Sequence, residues 1–268
     1  MERIQRALEL ARLQRGPQSE NDVARAERAT IREEFPQSLV PVARLPVDRA
    51  TLRERRIVFS DDVGPAASAY RMLRTQVLQR ARTHGLTAIG VISAINGEGK
   101  TLTAINLAMS LAAEPNQSVL LMDLDLRRPT VASTLGLNVE RGLETWFAQG
   151  GAPEKFCYGL EGVERLLILP TLTPVVGSSE ALANVGTRKL LGELKTRDPG
   201  QLLIIDLPPV LLSDDVLTMA PLLDGVVLVA AEGGTRREDI VRVLELLAST
   251  RVLGTVLNRS SESEQRTY

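Results

Sequence analysis

A chain of 268 residues, 44% of them hydrophobic, with a formal net charge of −1 can bury a large core. It carries no global charge that would draw it to nucleic acid or to a bulk membrane surface. One cysteine, Cys157, excludes an internal disulfide and, with no secretory signal in view, fits a reducing cytoplasm; one histidine, His84, excludes a histidine-built zinc or triad site.

Residues 1–35 alternate arginine, glutamate and alanine, with Ile4, Leu8 and Ala11 spaced on one helical face. Gly16-Pro17-Gln18-Ser19 interrupts the pattern, and Asn21 or Asp22 can cap a second helix from Val23. Two readings stay open here: a solvated arm, or a docking segment for a partner or an adjacent subunit. Pro36, Pro41 and Pro46 cannot continue a helix, so residues 36–50 read as an extended linker. A helix follows from about Pro65 to Arg82, and His84, just before Gly85, falls at its end. No apolar run approaches bilayer-spanning length.

From residue 86 the pattern alternates strand and helix. Apolar strands are expected at 86–93, 118–123, 165–170, 202–206, 225–231 and 252–258, with helices at 100–113, 187–197 and 236–249. Such runs look buried on both faces. The fold class is therefore α/β, a mostly parallel sheet sandwiched between helices, with ligands at the carboxyl ends of the strands. Cys157, between Phe156 and Tyr158, reads as a small buried hydrophobe.

The first strand, with Ala88-Ile89-Gly90-Val91-Ile92, runs into Ser93-Ala94-Ile95-Asn96-Gly97-Glu98-Gly99-Lys100-Thr101, and a helix opens at Leu102. This is a P-loop pattern with Ala94 in the first glycine position. Gly97 and Gly99 let the backbone curl its N–H groups toward an anion, and the helix adds its positive end. Asn96, Gly97, Glu98, Gly99, Lys100, Thr101 and Leu102 form the candidate nucleotide cradle. In it Lys100 reaches the β- and γ-phosphates and the Thr101 hydroxyl ligates Mg²⁺.

Two acidic motifs end later strands. In Val119-Leu120-Leu121-Met122-Asp123-Leu124-Asp125-Leu126-Arg127-Arg128-Pro129, two acids beside two arginines can set a metal-linked base next to cations for phosphates. In Leu202-Leu203-Ile204-Ile205-Asp206-Leu207-Pro208-Pro209, four apolar residues ending in aspartate match a Walker B strand that holds Mg²⁺.

With these three motifs in order, the chain resembles the cytoplasmic bacterial tyrosine kinases of capsule and exopolysaccharide assembly, themselves similar to septum-site and partition ATPases. The resemblance covers about 57–259, which sets an arm and linker at 1–56 and a tail at 260–268. Ala69-Tyr70-Arg71-Met72-Leu73-Arg74-Thr75, the Ser178-to-Leu191 segment, Asp224-Gly225-Val226-Val227-Leu228-Val229 and Gly254-Thr255-Val256-Leu257-Asn258 also match. Arg3-Ile4-Gln5-Arg6-Ala7-Leu8 resembles the exosortase-linked branch. The resemblance implies ATP and Mg²⁺ as cofactors and transfer of the γ-phosphoryl group to tail tyrosines. Lys100, Asp123 and Asp125 would be catalytic, with Asp123 activating the acceptor hydroxyl. Tyr268 would be the acceptor, Thr101, Asp123 and Asp206 the metal set, and Asn258 an adenine contact. It further implies a homo-oligomer and a membrane-anchored polysaccharide copolymerase or chain-length regulator as activator. The protein would then sit in the cytoplasm, peripheral at the inner face of the plasma membrane, with no nucleic-acid partner. Three positions depart from the family pattern. The tail holds one tyrosine, Ser68 stands where the oligomer motif has glutamate ahead of Arg71 and Arg74, and Leu207 replaces a small polar residue. Two other readings are a partition-like ATPase switch and a nucleotide-binding regulator without turnover. The first usually needs a lysine early in the P-loop, where Ile95 or Asn96 stands.

Overall fold

The computed structural model describes residues 39–260. The expected N-terminal helices, the caps at Asn21 or Asp22, the branch match at 3–8 and Tyr268 lie outside the described residues. Among those described, eight strands form one sheet: β1 (Ala43–Leu45), β2 (Ala88–Ser93), β3 (Val119–Asp123), β4 (Tyr158–Leu160), β5 (Val163–Leu169), β6 (Leu202–Asp206), β7 (Gly225–Ala231) and β8 (Val252–Asn258). Their order is β1-β4-β5-β3-β6-β2-β7-β8. Every pairing is parallel except β4 with β5.

The central strands are buried on both faces because their residues alternate between two cores. Ala88 and Ile92 of β2, Leu120 and Met122 of β3, and Leu203 and Ile205 of β6 face one core. Ile89, Val91, Val119, Leu121, Leu202 and Ile204 face the other. Helices cover both sides. α1 (Arg49–Glu54), α2 (Pro65–His84) and α3 (Lys100–Ala112) place Leu52, Val77, Ile105 and Leu107 in the second core. α4 (Val131–Leu135) packs on the same side, with Val131 and Leu135 in the second core, while α5 (Leu143–Gln149), α6 (Ser178–Ala183), α7 (Val185–Arg197), α8 (Asp215–Met219) and α9 (Arg237–Leu246) lie on the opposite side. Leu190, Leu191 and Leu194 of α7 and Val243 of α9 fill the first core.

Among the described residues, all six expected strands and the four helices expected there are present, with ends within a few residues of expectation. α2 ends at His84, and Gly85 follows in a left-handed cap at φ +63°. The stretch read as an extended linker is different. Residues 39–54 join the body: Leu39 and Leu52 are buried, β1 pairs with β4, and Asp48 caps α1 by accepting from the Ala50 and Thr51 N–H groups. Pro41 and Pro46 flank a three-residue strand, too short to leave a period of its own; pairing with β4 decides its structure. Leu207 also gains a physical role. It is fully buried, and a Cβ on Gly90 would lie 3.0 Å from its methyl, so the glycine in β2 makes room for it.

Candidate active site

Parallel strand order brings the P-loop and both acidic motifs to one end of the sheet. β6 lies between β3 and β2, and Asp123 is the register partner of Asp206. The loop from β2 turns through Gly97 at φ +81° and Gly99 at φ +91° before α3 begins at Lys100. A Cβ at Gly99 would sit 2.0 Å from Nδ2 of Asn258, so a side chain there would displace that amide as well as strain the backbone. The N–H groups of Gly97, Gly99, Lys100 and Thr101 meet no acceptor among the described residues. Those of Gly99, Lys100 and Thr101 are orphan donors of the helix N-terminus, and Gly97 adds one from the loop. Asn96 is exposed on the loop, and Leu102 is half-buried in the first turn of α3.

Lys100, 7% exposed, lies at the centre of the site. Its ammonium donates to Asp125 Oδ2 at 2.9 Å and to Asp206 Oδ1 at 3.0 Å. Thr101 donates its hydroxyl to Asp206 Oδ2 at 2.6 Å, and Thr130 lies 3.2 Å from the same hydroxyl. Burial opposes the charge on Lys100, but the Asp206 and Asp125 carboxylates outweigh it and hold its pKa above the ordinary lysine value. Burial likewise pushes Asp206 up, against the pull of Lys100. Asp123, fully buried, is pushed well above the usual carboxylate range by burial and by Asp206. Its oxygens accept from the N–H groups of Asp125, Thr130 and Val131.

Lys100, Thr101, Asp125 and Asp206 thus form one hydrogen-bonded cluster, with Asp123 alongside. Of the proposed metal set, Thr101 and Asp206 are in contact, while Asp123 is turned to backbone donors. Among the described residues no group of three or more histidine, cysteine, aspartate or glutamate side chains forms a metal cage. Magnesium carried by a triphosphate needs only one or two protein oxygens. The free N–H groups, the lysine cation and a hydroxyl–carboxylate pair therefore suit a magnesium-bound polyphosphate.

The arginines after Asp125 behave differently from the sequence expectation. Arg127 does not face the phosphate end. It donates to Ser178 at 3.1 Å, to Asp215 at 3.3 Å and to Asp214 at 3.0 Å. Fully buried Asp215 needs this charge, and with Ser178 and Ser179 also donating to it, its pKa lies below the ordinary carboxylate value despite burial. Arg128 is exposed and makes no ion pair among the described residues. Sequence reasoning missed this network because Asp215 sits on a five-residue helix with no motif around it.

The other end of the P-loop holds a second unexpected set. The carboxylate of Glu98, 2% exposed, accepts from the Ile95 N–H at 2.9 Å and from the Thr235 hydroxyl. Asn258 donates Nδ2 to the Glu98 carbonyl at 2.9 Å, and Arg259 donates to the Gly97 carbonyl at 2.6 Å. Cys157 is buried, and its thiol is pushed up to about 12, mainly by burial.

Comparison with known proteins agrees with this geometry. The ParA family model, described as NUBPL iron-transfer P-loop NTPase, matches residues 86–266. The tyrosine-protein kinase YwqD of Bacillus subtilis (strain 168) is 30% identical over 202 residues, 74% of this chain and 83% of that protein. The succinoglycan biosynthesis transport protein ExoP of Rhizobium meliloti (strain 1021) is 28% identical over 81% of this chain, which spans 28% of that protein. Among solved structures, the VpsO kinase domain is 28% identical, with a TM-score of 0.64 over 73% of this chain and 96% of that one. The chain belongs to the bacterial tyrosine-protein kinases, a branch of the ParA-type P-loop NTPases.

Proposed function

We propose that this chain is an ATP-dependent protein-tyrosine autokinase that regulates the synthesis and export of an exopolysaccharide. The observation that carries the reading is Lys100, held between Asp125 and Asp206 beside four unpaired N–H groups. A buried ammonium shared by two carboxylates is a cation that an entering phosphate can recruit.

In this reading Gly97, Glu98, Gly99, Lys100 and Thr101 cradle the phosphates. Lys100 moves from its carboxylates to the β- and γ-phosphates. Thr101 and Asp206 would hold magnesium carried by the nucleotide, and that ion would supply charge neutralisation for the transferred group. Asp123, the register partner of Asp206 at the strand ends, is the base in this reading, taking the proton of a tyrosine hydroxyl as that oxygen bonds to the γ-phosphorus. The bond from that phosphorus to the β-phosphate oxygen breaks, and ADP leaves. Asp125, freed of Lys100, supports the acceptor. Tyr268 is the acceptor within this chain.

A membrane-anchored polysaccharide copolymerase is the proposed activator, holding the kinase at the inner face of the plasma membrane. No helix among the described residues is long and apolar enough to cross a membrane. Assembly into a homo-oligomer belongs to the same proposal. In the protomer, Arg71 donates to Ser68 and to the Asp62 carbonyl, and Arg74 pairs with Glu114. Contacts through those arginines therefore require an exchange of partners. The iron-transfer description of the family model finds no support here, because the one cysteine is buried and its thiol is held neutral.

Incubation with γ-labelled ATP and Mg²⁺, with and without the membrane activator, tests the reading. The expected result is ADP and labelled phosphotyrosine from the wild type and neither from Lys100→Met. Absence of both products from the activated wild type contradicts it.

A further inference from the structure

Three side chains outside the P-loop grip its outer wall, and each comes from the end of β7 or β8. Asn258 donates Nδ2 to the Glu98 carbonyl at 2.9 Å. Arg259 donates to the Gly97 carbonyl at 2.6 Å. Thr235 donates its hydroxyl to the Glu98 carboxylate and accepts from the Ala231 N–H at 2.8 Å. The two strand ends are themselves tied, since Ala231 is the register partner of Asn258 and the Glu232 N–H donates to the Asn258 carbonyl at 2.9 Å.

The consequence follows from peptide planarity. In a trans peptide the C=O of one residue and the N–H of the next point in opposite directions. A carbonyl of Gly97 drawn toward Arg259 turns the Glu98 N–H away from Arg259. A carbonyl of Glu98 drawn toward Asn258 does the same for the Gly99 N–H. Pinning two carbonyls on one side thus aims two donors at the other, where a phosphate cradle needs them.

Two independent features show that this contact is built in. The Asn258 amide lies where a Cβ on Gly99 would be, 2.0 Å from its Nδ2. Arg259 is held at φ +60°, a conformation disfavoured for a residue with a side chain, and its own N–H is fixed by Asn258 Oδ1 at 2.9 Å. Both ends of the Asn258 amide are therefore committed, one to the P-loop and one to Arg259.

We propose that Asn258 and Arg259 are positioning residues that set the P-loop peptide planes for phosphate binding. The inference rests on the nucleotide-site reading above. It gives Asn258 a role at the phosphate end in addition to the adenine contact that the family resemblance implies.

The experiment measures the affinities of ADP and of inorganic pyrophosphate for the full chain, with Mg²⁺, in the wild type, Asn258→Ala, Arg259→Gly and Arg259→Lys. Glycine at 259 removes the guanidinium without opposing the positive φ, and lysine keeps a donor. Thermal unfolding of each variant confirms that the fold persists. We expect Asn258→Ala to weaken pyrophosphate about tenfold and ADP by at least that factor. Arg259→Gly, which loses an exposed donor, should weaken both about threefold, and Arg259→Lys should restore most of that loss. Weakened ADP with unchanged pyrophosphate in Asn258→Ala assigns the residue to adenine and overturns the inference. So do unchanged affinities in both variants. A wild type that takes neither ligand overturns the nucleotide reading and this inference together.

Discussion

Two clusters of buried charge lie at the same end of the sheet, and they are in opposite condition. Around Asp215, one arginine and two serine hydroxyls donate to a carboxylate whose pKa is lowered despite its burial. Around Lys100, one ammonium serves Asp125 and Asp206, and burial leaves Asp206 and Asp123 pushed up. The first cluster is satisfied by the fold and fastens α6 and α8 to the loop after β3. The second carries more negative charge than the fold neutralises. A cation delivered with a ligand relieves it, and that difference separates a clamp from a site.

The sharpest way to break the comparison is to remove one cation from each cluster. Lys100→Met should lower ATP turnover about a thousandfold, since catalysis of this kind rests on placed charge. Arg127→Met should leave turnover within about tenfold, because its charge is spent on Asp214 and Asp215. ADP release measured for both variants decides; equal losses would erase the distinction. Next in size, Gly99→Ala combines a strained φ with a clash against Asn258 and should weaken ADP binding by roughly tenfold or more, read by calorimetry.

A smaller effect tests the clamp. Asp215→Ala leaves Arg127, Ser178 and Ser179 without their shared acceptor and should cost about 2 kcal/mol, a fall in Tm of roughly 4–8 °C. A scanning calorimetry trace unchanged from wild type would show that the network is ornamental.

The smallest effect is one of pH, and the two clusters should respond with opposite sign. Asp123 and Asp206 hold protons more tightly folded than unfolded. Their contribution to the stability of the ligand-free protein is present below the ordinary value of 3.8 and is lost as pH rises through their folded pKa. Asp215 holds its proton less tightly when folded, so its contribution is present above 3.8 and is lost as pH falls through its lowered folded pKa. Thermal unfolding of Asp215→Asn beside wild type should show a stability gap near neutrality that closes in acid. A gap that widens in acid would reverse the assignment.

Legibility followed the same division. Central strands such as Val119–Asp123 and Leu202–Asp206 are continuous apolar runs because both faces are buried, and the sequence pattern shows this directly. Lys100, Thr101, Asp125 and Asp206 were legible because strand order alone brings strand ends together. β1 and β4 were not, since three residues hold no period and long-range pairing decides them. Arg127 was readable as a cation near the site, but its partner Asp215, 88 residues away, was not. Asn258 was visible as the end of a strand. Its hold on Glu98, 160 residues back, is a product of the register between β7 and β8.

The central claim is that Lys100 trades its two carboxylates for the phosphates of a magnesium-bound nucleotide. Titration calorimetry of Mg²⁺-ATP into the wild type and Lys100→Met tests it most directly. The account predicts saturable uptake at one site in the wild type, lost without Mg²⁺ or without the lysine ammonium. Uptake of equal strength by Lys100→Met, or no heat from the wild type at millimolar nucleotide, would contradict it.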